Sequence, residues 1–159
     1  MSLAISTKKN SMLIYIIGIG LLTGTLDAIA AIIDNWKIPA AFIFKYIASG
    51  VFGKAAFAGG PNMVLWGVLF HYLISFLFTT AFFLLHPMFY SWFRNKLVTA
   101  IFYGLITWVV MNVIVLPLTN IPPQHFQLIP GLTACGILIV CIGVPISFIA
   151  TGYYFYKRK

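Results

Sequence analysis

Four long apolar runs, separated by short polar or proline-containing stretches, dominate the chain and cover residues 12–33, 62–85, 97–118 and 129–155. Each is long enough for a helix to cross a hydrocarbon core roughly 30 Å thick at about 1.5 Å per residue. The second, NMVLWGVLFHYLISFLFTTAFFLL, contains no acid, lysine or arginine. Within it Gly67, His71, Ser75 and Thr79 recur at i+4 steps, so they share one slightly drifting helix face. That face is costly against lipid, and the pattern predicts it against other helices. The first run carries Gly20, Gly24 and Ala28 at the same spacing. The third carries Ala100, Gly104, Trp108 and Asn112, and the fourth Gly136, Gly143, Ser147 and Thr151. Gly20, Gly24, Ala28, Gly67, Gly104 and Gly143 are the expected close-packing positions. Pro145 predicts a kink in the fourth span, with a freed carbonyl near Cys141.

Between the first two spans, residues 38–60 read as an outer helical hairpin, re-entrant or interfacial. Pro39 suits the first turn of a helix, and Ser49, Gly50 and Gly53 predict a break between two short helices. Re-entrant backbone must be satisfied by protein or water, so the hairpin is expected to dock on the bundle. His86 and Pro87 are expected at the cytoplasmic boundary of the second span, with His86 solvated and a short aromatic and basic loop following. The outer loop 119–130, with Pro122, Pro123 and His125, is expected to be short and rigid. The whole is an all-α polytopic membrane protein in one transmembrane domain, 1–159.

Composition supports that class. Apolar residues make up 62% and charged residues 8% of the 159 positions, and mean hydropathy is +1.02. A soluble domain carries about a quarter charged residues. The net charge of +8 does not indicate nucleic acid, because the cations flank the apolar runs. Lys8, Lys9, Arg94, Lys96, Lys157, Arg158 and Lys159 fall on one side of a four-span chain, and Lys37, Lys45 and Lys54 on the other. The bias predicts both termini in the cytoplasm. Residues 1–11 resemble the n-region of a signal peptide, but the run after them is too long for a signal core and reads as an uncleaved span. Trp36, Trp92, Tyr90, Tyr153, Tyr154 and Tyr156 are placed where an aromatic belt belongs.

Chemistry-bearing residues are few. Asp27 and Asp34 are the only acids, and Asp34 falls at the predicted surface. No phosphate-binding loop, zinc motif, dithiol motif or nucleophile elbow occurs. Cys135 and Cys141 lie in an apolar run without metal-ligand company, so no metal and no cofactor is expected. The rise per residue puts Asp27 about 10 Å, Asn112 about 9 Å and His71 about 14 Å from the outer ends of their spans. Three polar side chains at similar depth make a cluster of Asp27, His71 and Asn112, with Thr23 and Ser75 beside it, the candidate site. It reads either as a hydrogen-bonded knot fixing helix register or as a proton-accepting pocket.

The stretches GTLDAIAA (24–31), IASGVFGKAAFAGG (47–60), GVLFHYLISF (67–76), YGLITWVVMNVIVLPL (103–118) and GVPISF (143–148) resemble a widespread bacterial family of small four-span inner-membrane proteins, loosely the YagU-type proteins. The resemblance implies a four-helix integral protein of the bacterial inner membrane with no established activity, and Asp27, His71 and Asn112 match positions in its motifs. Family members with a histidine in the fourth span differ here, where Leu138 stands near that place.

The leading expectation is a non-enzymatic structural or accessory membrane protein. Its expected partners are membrane lipid, a second copy or another membrane protein. The alternatives are a proton-linked permease using the Asp27, His71 and Asn112 cluster, and a membrane enzyme acting on lipid or quinone.

Overall fold

The computed structural model describes residues 2–122 and 127–156, with side chains within 12–122 and 127–155. Expectations resting on Lys8, Lys9, Pro123, His125, Tyr156 and the terminal Lys157, Arg158 and Lys159 lie outside that description. The elements are α1 (Ser2–Asp34), α2 (Ala40–Phe52), α3 (Ala55–Ala58), α4 (Pro61–Phe93), α5 (Lys96–Val110), α6 (Leu128–Leu138) and α7 (Val144–Tyr156). Helix α5 continues through a π-helical turn, Met111–Val115, and a 3₁₀ turn, Leu116–Leu118. Helices α6 and α7 are joined by a second π-helical turn, Ile139–Gly143. Four stretches are long and apolar enough to cross a membrane: Met12–Asp34, Pro61–Phe93, Lys96–Leu118 and Leu128–Phe155. The protein is an all-α, multi-pass helical bundle.

The two π turns have one cause. Each ends two residues before a proline, Pro117 or Pro145. A proline has no N–H to return to the carbonyl four residues back, and its ring crowds that turn. The helix widens locally instead of breaking. This is the form taken by the distortion at Pro145.

Helix α4 packs on both α1 and the fourth span, and α5 packs on the fourth span and α4, leaving α1 and α5 at opposite corners. The centre is aromatic and aliphatic: Phe82, Phe83, Phe89, Tyr103, Ile142, Ile146 and Tyr153. Leu65, Leu69, Leu73 and Leu77, also at i+4 steps, are exposed on the opposite side of α4 from its polar face. A helix surface of that kind suits lipid.

Close approach depends on glycine. A methyl built on Gly67 would lie 1.9 Å from the Phe44 carbonyl oxygen of α2. One on Gly143 would lie 2.3 Å from the Ala100 carbonyl oxygen, and one on Gly104 2.6 Å from the Ile139 Cα. Gly20 and Gly24 make room for the Phe76 and Tyr72 rings. These contacts are all within the chain.

The 38–60 segment forms two short helices packed on the bundle. Pro39 is the N-cap of α2. The break falls at Gly53, whose φ of 59° is left-handed, while Ser49 and Gly50 stay helical and buried. Asn120, beyond the end of the third span, donates from its side chain to the Val51 carbonyl at 2.8 Å and from its backbone N–H to the Gly50 carbonyl at 2.9 Å. That clamp satisfies carbonyls at the α2 C-terminus which no later turn of helix can reach.

Two expectations are overturned at the other end. Helix α4 does not stop at His86–Pro87 but runs two turns further, to Phe93, and Arg94 closes it in the left-handed region at φ 49°. Proline inside the helix frees the Phe83 carbonyl, and the Tyr154 hydroxyl of α7 donates to it at 2.9 Å. Tertiary packing thus replaces the lost backbone bond. Tyr153, expected in the interfacial belt, is in the core against Phe83 and Tyr15. Trp36 and Trp92 are exposed, as a belt requires.

Candidate functional site

The polar face of α4 meets α1. Thr23, which is 0% exposed, donates to the Ile19 carbonyl at 2.9 Å, one turn back on its own helix. Its oxygen also lies 3.3 Å from the Ser75 hydroxyl and 3.3 Å from that of Thr79. Ser75 donates across the interface to the Gly20 carbonyl at 3.2 Å. Three hydroxyls therefore link two helices: Thr23 and Ser75 each reach a backbone carbonyl, and Thr79 is held through the Thr23 hydroxyl. Thr79 completes the group and is the member that the depth argument leaves out, although its i+4 register with Ser75 points to it.

One turn nearer the hairpin, His71 Nε2 lies 2.8 Å from the Gly24 carbonyl. A carbonyl only accepts, so this nitrogen carries the proton. The imidazole meets the Phe44 ring edge-on at 6.3 Å between centroids. Asp27, three residues past Gly24, is half-buried with His71 and Cys141 as its electrostatic neighbours. Cys141 belongs to the π-helical turn of the fourth span, which packs on α1. Among the described residues, no three His, Cys, Asp or Glu side chains come together as metal ligands.

Asn112 is at the same depth but not in the same place. It is exposed, and its amide donates to the Trp108 carbonyl on its own helix at 2.8 Å. The structure therefore joins Thr23 to Ser75 and makes His71 an electrostatic neighbour of Asp27, while the exposed Asn112 amide bonds to its own helix.

A second polar group lies near the other end. His86, expected to be solvated, is 1% exposed. Its Nε2 is 3.0 Å from the Thr151 hydroxyl oxygen, and Thr151 donates to the Ser147 carbonyl at 2.6 Å. With the single hydroxyl proton given to that carbonyl, the His86 Nε2–H donates to Thr151 and Nδ1 keeps its lone pair. Nδ1 has no partner. Ser147 donates in turn to the Lys96 carbonyl at 2.8 Å, in the first turn of α5. The chain from His86 to Lys96 ties three spans together. Its sequence signal is the i+3/i+4 series Thr79, Phe82, His86, Phe89, all buried on one face of α4.

No protein-family model matches the chain, and no curated protein or solved structure matches it.

Proposed function

We propose that this chain is a non-enzymatic integral membrane protein with a structural or accessory role, akin to the YagU-type proteins of the bacterial inner membrane. The observation carrying this reading is the Thr23, Ser75 and Thr79 group: buried, linked hydroxyl to hydroxyl, and anchored on backbone carbonyls through Thr23 and Ser75. Polar side chains used in this way fix how two helices pair and leave no open groups for a passing solute. A second copy or another membrane protein would meet the surface around Gly18 or Gly136. Built methyls there touch nothing within 4 Å, whereas the glycines of the main packing stripes already face their own chain.

The test is proton flux into liposomes holding the purified protein and its Asp27→Asn variant, from about pH 5 to 8, where histidine titrates. The expected result is no flux above empty liposomes, together with a stability change in the variant. Flux that Asp27→Asn abolishes, with the helices intact, favours the second reading, a proton-linked permease. That reading is supported by Asp27 and His71 being electrostatic neighbours, with a π-helical turn in the fourth span, a distortion often found at functional positions.

The orientation follows the charge bias, with both termini in the cytoplasm. Single cysteines replacing the exposed Ala58 and Ser91, in a background lacking Cys135 and Cys141, test it. Ala58 should react with an impermeant reagent from outside and Ser91 only from the cytoplasmic face; the reverse pattern rejects the orientation.

A further inference from the structure

A cavity of ≈ 410 Å³ opens between the last turns of α4 and α7, at the end of the bundle where α4 turns into α5. His86, Tyr90, Ser91, Arg94, Tyr154 and Phe155 line it. The rings form a continuous wall. Tyr154 stacks on His86 at 5.9 Å between centroids, His86 faces Tyr90 at 5.7 Å, and Tyr90 meets Phe155 edge-on at 5.0 Å. Trp92, exposed on the adjacent turn, marks this level as a membrane boundary.

Two features of this cavity ask for a ligand. The first is charge. Arg94 ends α4 in the left-handed conformation and lines the cavity. The chain has two acidic side chains, Asp27 and Asp34, and both belong to the hairpin-side half of α1. No Asp or Glu side chain is therefore available to Arg94 at this end. Lys96 adds a further positive charge two residues on, its ammonium 5.6 Å from the Phe148 ring centroid. The second is the His86 Nδ1, a buried acceptor without a donor. Unpaired groups of this kind are rare unless something outside the chain satisfies them.

We propose that this cavity holds the headgroup of an anionic phospholipid. Its phosphate pairs with Arg94, whose planar fork matches phosphate oxygens. The glycerol and acyl portions lie along Tyr90, Tyr154 and Phe155, amphipathic surfaces suited to the headgroup boundary. A phosphatidylglycerol headgroup leaves the phosphate's negative charge uncompensated, whereas a choline headgroup sets a cation against Arg94 and Lys96. A soluble phosphate offers the same charge without the acyl chains, so the experiment must separate the two sources.

The test is native mass spectrometry of the full chain released from detergent in equal amounts of phosphatidylglycerol and phosphatidylcholine with matched acyl chains. The wild type should retain phosphatidylglycerol roughly tenfold better, because both lipids carry the phosphate but only phosphatidylcholine brings a cation against Arg94 and Lys96. Arg94→Asn, chosen because Asn tolerates the left-handed backbone, should bring the two lipids close to parity. Ser91→Trp, which fills the cavity without changing charge, should do the same and guards against misreading a folding defect in the first variant. Lys37→Gln, at the opposite end, should keep the preference. Equal retention of both lipids by the wild type, or an undiminished preference in both cavity variants, overturns the proposal. Displacement of phosphatidylglycerol by millimolar inorganic phosphate overturns the lipid source and leaves a free-anion site.

Discussion

The Tyr154 hydroxyl donates to the Phe83 carbonyl at 2.9 Å, and Phe83 is the residue whose carbonyl Pro87 leaves without its N–H. One tyrosine on α7 thus allows α4 to stay helical through a proline. Tyr154→Phe should lower stability by about 1 kcal/mol, the usual net value of such a bond. In a Pro87→Ala background the backbone N–H returns to Phe83, and the same substitution should then cost less than half as much. Denaturant unfolding in detergent of the four proteins of this cycle measures it. Equal costs in both backgrounds would mean that the hydroxyl does not substitute for the missing N–H.

Thr23 is the hub of the α1–α4 interface, within 3.3 Å of both Ser75 and Thr79 hydroxyls. Thr23→Val keeps the shape and removes the oxygen, and should cost about 0.5–1.5 kcal/mol. Ser75→Ala should cost less when Thr23 is already Val, because the bond between them is then absent. Thermal unfolding of the two single variants and the double variant reads this out. Additive losses would mean that each hydroxyl is held by backbone alone.

Glycine positions separate into filled and open. Gly67→Ala would place a methyl 1.9 Å from the Phe44 carbonyl oxygen, and backbone on both sides leaves no flexible group to yield. The variant should lose about 1–3 kcal/mol as α2 is pushed away, with faster protease cleavage around Gly53 and Lys54. Gly18→Ala, where a methyl meets nothing within 4 Å, should be neutral or stabilising by up to about 1 kcal/mol. Similar behaviour of the two variants would show that α2 is not held at Gly67.

The spans were legible because a run of more than 20 apolar residues has few alternatives in water. The polar face of α4 was legible because i+4 spacing fixes direction around a helix, and Ser75 and Thr79 both point where Gly67 does. His86 was misread because Pro87 follows it. The residue before a proline is biased away from helix, and that local bias gave way to the bond between Phe83 and Tyr154, 71 residues apart in the chain. No window on α4 contains Tyr154. Asn112 was misplaced for a different reason. Rise per residue gives depth along a span but not the angle around it, and the π turn that contains Asn112 rotates the helix surface by an amount the sequence pattern does not state. The clamp from Asn120 to Gly50 and Val51 had no local signal, since both partners are ordinary loop and helix-end residues until the fold joins them.

Asp27, His71 and Asn112 can be sorted by coupling. Asp27 and His71 are electrostatic neighbours, while the Asn112 amide bonds to its own helix and its side chain is exposed. Asp27→Asn should therefore alter the effect of His71→Gln on stability by at least about 0.5 kcal/mol, the range for residues that interact. Asn112→Ala should add to either change within about 0.3–0.5 kcal/mol, as independent sites do. Six proteins beside the wild type suffice: three single variants and the three pairs among them. Coupling confined to the Asp27 and His71 pair would place the interaction on α1 and α4 alone. Coupling of Asn112 to either residue would mean that the third span turns its amide inward in the membrane, and the three-residue site would then stand.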